Sequence, residues 1–443
     1  MKVNFGYYSL RGLNNYYPIN ISGMFNIGVI IGNIFCKNKK NIKVLIGKDT
    51  RISCKYIQCS IIAGLNYSGV SYIRLIGIAP TPIISFFTYI RKEFDLGIMI
   101  SASHNQYNYN GLKIFSNLIK DPMKIVKKEI FKYKNKNIPP YKGGNIKISN
   151  FSNKKKRYLD FCKKTVNNID LNNIKIAVDY ANGSSCKLVP NLLKDLGAKV
   201  ISIGCNPNGR NINFKCGSVN IEYLKSVVLK NKVNLGIAYD GDGDRIIMVD
   251  HLGNIINGDQ IAYILVKDRI KNNSFSGGVV GTVMSNTGLK LALKKLNIPF
   301  VRTQVGDSYI LKKMKEKNWS VGEESSGHII LSDIAPTGDG IIVGLQILNC
   351  MVRNNSSLNY LCKDIKLMPQ LIKNIYCVNV KDKVFNNLKR TVEKIKLKIK
   401  GGRIFLHKSS TEPYIRVMVE GKIFSQVFYF IDYLTKKIKL MIN

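Results

Sequence analysis

Short apolar runs recur along the chain, each ending in a polar stretch rich in glycine or serine and alternating with helical patterns. Ile42–Gly47 leads through GKDTR into a helical segment around Ile57–Leu65, and the strand-like Ser71–Gly77 follows. Leu96–Ser101 then opens into the loop SASHN. The plan repeats: Ile174–Asp179 precedes ANGSS and a helix ending near Gly197, and Leu235–Tyr239 opens into DGDGDR. It repeats again from Gly277–Val283 through SNTG and a Leu/Lys-rich helix, until the segment near Ser320 and Val321 opens into GEESSGH.

Strands alternating with helices predict parallel α/β layers covered on both faces. Ligand sites in open α/β sheets lie beyond the carboxyl ends of strands, so three such loops are expected to converge on one central cleft. From about Met368 the pattern changes to strand-like NIYCVNV, a Lys-rich helix, RIFLHKSSTEP, YIRVMVEG and a final helix. The expected architecture is three similar α/β mixed-sheet domains (residues 1–150, 151–255 and 256–367) and a small C-terminal α+β domain (368–443).

Composition changes this picture little. Hydrophobic residues are 45% and charged residues 22% of the chain, as in ordinary globular proteins. The apolar stretch Met24–Phe35 is interrupted and too short to cross a bilayer, and the amino end lacks a signal-type core, so a cytoplasmic location is expected. The ten cysteines are scattered without a CxxC, which reads as reduced thiols.

Charge is the unusual total. Lys+Arg 68 against Asp+Glu 28 gives a formal net charge of +40. Such an excess attracts polyanions, which makes a basic nucleic-acid-binding protein the rival reading from another class. The lysines are spread over the whole length among asparagines and isoleucines, so compositional drift is the favoured account and no specific nucleic acid is expected.

Candidate chemistry sits in the loops. Asp240, Asp242 and Asp244 alternate with glycines after an apolar strand, and three hard oxygen donors suit Mg²⁺ or Ca²⁺. An EF-hand would need Gly and Glu where Arg245 and His251 stand, so that reading fails. The plain alternative is a solvated acidic turn. Ser103 beside His104 reads first as a helix N-cap; Lys113 downstream and the equivalence with the aspartate loop point instead to a serine that carries phosphate. Glu324, Ser326 and His328 offer a carboxylate, a hydroxyl and an imidazole suited to sugar hydroxyls, or a loop capped by its own side chains. His407, Lys408, Ser409, Ser410 and Thr411, with Arg416 beyond, form a candidate phosphate cradle.

Taken in order, FGYYSLRG, GKDTRIS, APTP, SASHNQYNYNGLKIF, PNGRNINFKCGS, DGDGDR, VGDSY, GEESSGHII, TGDGI and KSSTEPYIRVMVEG resemble the α-D-phosphohexomutase superfamily nearly end to end. Within it, GEESSGH and the IRVMVEG tail resemble the branch that acts on glucosamine phosphates, with phosphomannomutase or phosphoglucomutase activity as the alternative. The resemblance implies four domains around a cleft, with Ser103 as the phosphorylated serine. It also implies one Mg²⁺ held by Asp240, Asp242, Asp244 and that phosphate. Arg11, Lys113 and His328 match residues that assist phosphoryl and proton transfer. Substrate contacts are implied for His104, Arg245, Glu324, Ser326, His407, Lys408, Ser409, Ser410, Thr411 and Arg416.

The implied reaction interconverts glucosamine-6-phosphate and glucosamine-1-phosphate through glucosamine-1,6-bisphosphate, with a phosphosugar as the partner and a homodimer as a possible assembly. Gln106 stands where proline is usual, GYYSLRG replaces a Gly-Thr-Asp-Gly-Ile-Arg-Gly run, and His407 and Ser410 stand where arginine and glycine are usual. Histidine is a pH-dependent phosphate ligand, so substrate-phosphate binding is expected to weaken as pH rises through the His407 titration.

Overall fold

The computed structural model describes residues 4–5, 9–133, 141–377, 382–396, 398–399, 401–408 and 414–442. Four sheets follow one another along the chain. The first holds seven strands in the order Asn4–Phe5, Ser9–Leu13, Tyr109–Ser116, Leu96–Ile100, Lys43–Lys48, Tyr72–Ile78 and Lys147–Asn150. Its centre is parallel, and Leu96–Ile100 is buried at every position because helices cover both faces.

The second sheet runs Ile255–Ile256, Ile246–Asp250, Leu235–Tyr239, Lys175–Asp179, Lys199–Ile203, and the third runs Phe300–Thr303, Val279–Thr282, Val321–Glu323, Ile329–Leu331. One topological detail recurs in all three. The parallel strand that precedes each polar loop is paired, after the loop, with an antiparallel return strand: Leu96–Ile100 with Tyr109–Ser116, Leu235–Tyr239 with Ile246–Asp250, and Val321–Glu323 with Ile329–Leu331. Each loop therefore leaves its sheet at the same place and is pinned at both ends by backbone hydrogen bonds.

The tail is a three-stranded antiparallel sheet, in the order Gln370–Tyr376, Tyr414–Glu420, Arg403–Lys408, packed on helices Asp382–Lys396 and Phe424–Ile442. It has its own core, including Leu388, Val417, Ile431 and Leu434. It docks on the third domain through Glu420, a fully buried carboxylate. Arg403 Nε and Nη2 each donate to it at 2.9 Å, and Thr287 N donates at 3.1 Å. Arg403 also donates to the carbonyls of Val283 (3.0 Å) and Ser285 (2.8 Å).

Removing one partner of a buried pair strands the other, so Glu420→Ala is expected to cost about 3 kcal/mol. Urea unfolding reads this as a lower midpoint. An unchanged midpoint would show that the bridge is not what docks the tail.

Helix Ile21–Asn38 occupies the stretch that reads in sequence only as an interrupted apolar run. No helix among the described residues is long and apolar enough to cross a membrane.

Candidate active site

Ser103 does not cap a helix; residues 101–108 form turns between the two strands. Its backbone N–H donates to Ser101 Oγ at 2.8 Å, and its own φ is +53°, in the left-handed region that non-glycine residues rarely adopt. The side chain is fully buried and donates from Oγ to Asp240 Oδ2 at 2.6 Å, across 137 positions of sequence. His104 Nδ1 lies 3.5 Å from the same Oγ.

Asp240, Asp242 and Asp244 form a buried cluster whose oxygens lie within 4.8 Å of one another. Lys113 Nζ reaches Asp242 Oδ2 and Asp244 Oδ2, both at 2.5 Å. Thr81 donates from Oγ1 to Asp242 Oδ2 at 2.5 Å, and His328 Nδ1 lies 3.8 Å from Asp244 Oδ2. Burial, then repulsion from Asp244 and Asp242, pushes the Asp240 carboxyl up to about 8. Asp244 goes the other way: burial opposes ionisation, but Lys113, His328 and Arg245 together hold it well below the carboxylate range. Asp242 Oδ1 and Asp244 Oδ1 are buried with no hydrogen-bond partner among the described residues.

Such orphaned oxygens are costly unless something positive meets them. The donor set fits a hard divalent cation, and a solvated acidic turn is excluded by the burial.

Cations line the other side. Burial lowers the Arg11 guanidinium, and Arg245 beside it lowers it further. For Arg245, burial is outweighed by Glu324 and the three aspartates, which raise it. The Nε of each arginine is buried without a protein partner among the described residues. Burial, with Arg245 and Arg11 next, also holds the His104 imidazole well below its ordinary value. Two guanidinium groups with idle donors beside a neutral imidazole make a pocket for an anion.

In the third loop, Gly306 N donates to Glu324 Oε1 at 3.1 Å, Ser326 Oγ donates to Oε2 at 3.4 Å, and Arg245 Nη2 lies 3.9 Å from Oε2. Ser326 is exposed, whereas Glu324 and His328 are buried. Burial works to lower His328, but Asp244, Glu324 and Asp307 outweigh it, so the imidazole titrates above its ordinary value.

The structure thus brings together Arg11, Ser103, His104, Lys113, Asp240, Asp242, Asp244, Arg245, Glu324, Ser326 and His328. It does not bring His407 or Arg416 to them. His407 stacks on Phe405 with centroids 6.0 Å apart, and Arg416 donates to Asn374 Oδ1 (2.9 Å) and Tyr414 Oη (3.1 Å), all within the tail domain. Ser409, Ser410 and Thr411, and the side chain of Lys408, lie outside the described residues. Sequence reasoning gave Thr81 no role. Its only signal was the APTP motif, in which the threonine opens a short helix, Thr81–Ser85, and points at Asp242.

The comparisons with known proteins agree with this geometry. Three domains described as phosphoglucomutase/phosphomannomutase alpha/beta/alpha domains I, II and III match residues 2–137, 156–253 and 257–368. A phosphoglucosamine mutase of Blochmanniella floridana is 45% identical, covering 98% of this chain and 97% of its own. The chain belongs to the phosphohexomutase family. A phosphoglucosamine mutase of Escherichia coli is 42% identical to this phosphohexomutase, covering 98% of each.

Among solved structures, a phosphoglucomutase/phosphomannomutase family protein from Burkholderia thailandensis superposes with a TM-score of 0.78 at 19% identity, covering 99% of this chain and 98% of that one. An Aspergillus fumigatus N-acetylphosphoglucosamine mutase, solved with GlcNAc-6P and magnesium, superposes at 0.67 with 13% identity, covering 100% and 96%. At these identities the likeness shows a shared fold, and in this phosphohexomutase the aspartate cluster stands on its own chemistry.

Proposed function

We propose that this phosphohexomutase interconverts glucosamine-6-phosphate and glucosamine-1-phosphate, with Ser103 as the phosphoryl carrier and glucosamine-1,6-bisphosphate as the intermediate. The observation that carries the reading is the buried Ser103 Oγ set 2.6 Å from Asp240, between the aspartate cluster and the idle donors of Arg11 and Arg245. A carrier phosphate there brings roughly −1.5 to −2 charge, which those donors complement. Asp240, Asp242 and Asp244 would hold Mg²⁺, which when bound supplies charge neutralisation for the phosphoryl oxygens.

The protein's part is orientation and proton management. In the first half-reaction the Oγ–P bond of phospho-Ser103 breaks and a P–O bond forms to the free hydroxyl of the sugar phosphate. The hydroxyl proton replaces the phosphoryl group on Ser103. In the second half-reaction the other phosphate of the bisphosphate moves to Ser103 with the proton travelling back, so nothing is consumed. Lys113 and His328, both held at Asp244, are the titratable groups placed to relay that proton. Glu324 and Ser326 orient the sugar hydroxyls through the hydrogen bonds their oxygens offer to the cleft.

Turnover of glucosamine-6-phosphate, followed by ³¹P NMR and set against mannose and glucose phosphates, tests the assignment. Faster turnover of mannose-6-phosphate than of glucosamine-6-phosphate would overturn the sugar choice.

His407 needs a revised expectation. Burial, then Arg416, holds its imidazole below the ordinary value of about 6.5, so it is neutral at neutral pH. Any cationic help to a substrate phosphate appears only as pH falls below that range. KM of His407→Ala is expected to match native above about 6.5 and to exceed it only in acid. A KM ratio that changes above neutrality would contradict this.

A further inference from the structure

The reading of Ser103 as phosphoryl carrier leaves open what keeps that residue in its left-handed conformation. Two side chains from different domains grip the same two carbonyls of its loop. Arg51, in the GKDTR stretch of the first domain, donates from Nη2 to Ser103 O at 3.0 Å and to Asn105 O at 2.8 Å, and from Nη1 to Gln106 O at 2.5 Å. Its Nε is fixed by Asp49 Oδ2 at 2.9 Å, with both side chains fully buried. Asn213, in the loop following the second domain's edge strand Lys199–Ile203, donates from Nδ2 to Ser103 O at 2.8 Å and to Asn105 O at 2.9 Å.

Each of these two carbonyls therefore accepts one bond from each domain. The metal loop closes the third side. A Cβ at Gly241 would sit 2.7 Å from Ser103 O and 2.9 Å from Asn213 Nδ2, so only glycine lets the loop approach.

We propose that Arg51 and Asn213 are positioning residues for phosphoryl transfer, a clamp from two domains that fixes the Ser103 peptide and so aims Oγ at Asp240. The physical basis is the backbone cost. A left-handed non-glycine residue is unfavourable, and four charge-assisted or amide hydrogen bonds to the Ser103 and Asn105 carbonyls offset it. Without them the 103–104 peptide turns toward commoner angles and carries Oγ away from the aspartate. The donors of both side chains are spent on loop carbonyls and Asp49, so the effect falls on the reaction and not on substrate affinity. Because Asn213 belongs to the second domain, the aim of Ser103 also depends on how the first two domains are seated.

The test uses the full chain with Asn213→Gly and Arg51→Lys. Asn213 itself has φ +56°, which glycine retains while losing the donor. Lysine keeps the charge of Arg51 and loses its fork. A misplacement of about 1 Å costs on the order of a hundredfold in rate. Each variant is therefore expected to show kcat lowered by that order and a lower melting temperature, since buried carbonyls lose their donors, with KM for the phosphosugar and the Mg²⁺-induced thermal shift unchanged.

Phosphorylation of Ser103 by glucose-1,6-bisphosphate in a single turnover, read by intact mass, is expected to slow by the same factor. If native protein is phosphorylated and both variants match its rate, the clamp is refuted. A rise in KM with kcat intact refutes it too, since that would make the pair substrate-binding groups. If native Ser103 takes up no phosphate at all, the carrier assignment fails first, and the clamp fails with it.

Discussion

Replacing Ser103 with alanine is expected to lower mutase turnover by at least about 10⁴-fold, roughly 5 kcal/mol of barrier. The size follows from what is removed. Ser103 Oγ donates to the aspartate cluster from a fully buried position, and alanine has no hydroxyl there to carry a phosphoryl group. Intact mass of the native chain is expected to show a phosphate-sized increment that the variant lacks. A variant that retained the increment would place the phosphate on another residue, and with it the carrier role. A variant retaining turnover near native would refute covalent transfer through this loop.

Asp242→Asn is the second substitution with a large expected effect, and its test need not use activity. The native protein buries three carboxylates, two of them (Asp242 and Asp244) against Lys113, with Asp242 Oδ1 and Asp244 Oδ1 unpartnered among the described residues. A ligand that binds only the folded state at a hundred times its Kd adds about 2.7 kcal/mol. Native protein is therefore expected to melt higher when Mg²⁺ is added, and Asp242→Asn to lose most of that rise. Removing one like charge relieves repulsion, so the metal-free variant is expected to be no less stable than metal-free native protein. Turnover at fixed Mg²⁺ is expected to fall about a thousandfold, roughly 4 kcal/mol. An equal Mg²⁺-induced rise in both proteins would remove Asp242 from the ligand set.

The three loops were legible in the sequence because the signal is local: an apolar strand, then polar groups and glycines in a row. The antiparallel return strands extend that reading, showing why the loops are held alike at both ends. For Ser103 the sequence offered only context and resemblance against a helix cap, because the carboxylate its Oγ meets, Asp240, is 137 positions away. Thr81, Arg51 and Asn213 escaped because they act on a carboxylate or on backbone carbonyls, contacts with no periodic signature.

Helix Ile21–Asn38 was hidden by its own glycines. A Cβ at its Gly28 would lie 2.6 Å from Ile61 O of the neighbouring helix Cys54–Tyr67, so the glycine that interrupts the apolar run reflects close helix contact. Glu323 and Glu324 are neighbours in sequence, and adjacent residues at a strand end point opposite ways. Glu324 joins the cleft, whereas Glu323 is buried with both oxygens unpartnered, and burial followed by Asp259 raises its carboxyl well above the usual range.

The burial of carboxylates also alters what the net charge means. Twelve of the 28 acidic side chains, from Asp49 to Glu420, are withdrawn from water into the cluster, the domain seams and the cores, whereas among the described lysines and arginines Arg51, Lys113 and Arg269 are as fully buried, with Arg11 and Arg245 partly so. The skin of the molecule is accordingly more cationic than +40 conveys, and its interior is anionic. A phosphate ester approaching from any side first meets an attractive long-range field, whose reach is set by ionic strength. Arg11 and Arg245 then offer it fixed donors, so capture and recognition are separate tasks given to different charges.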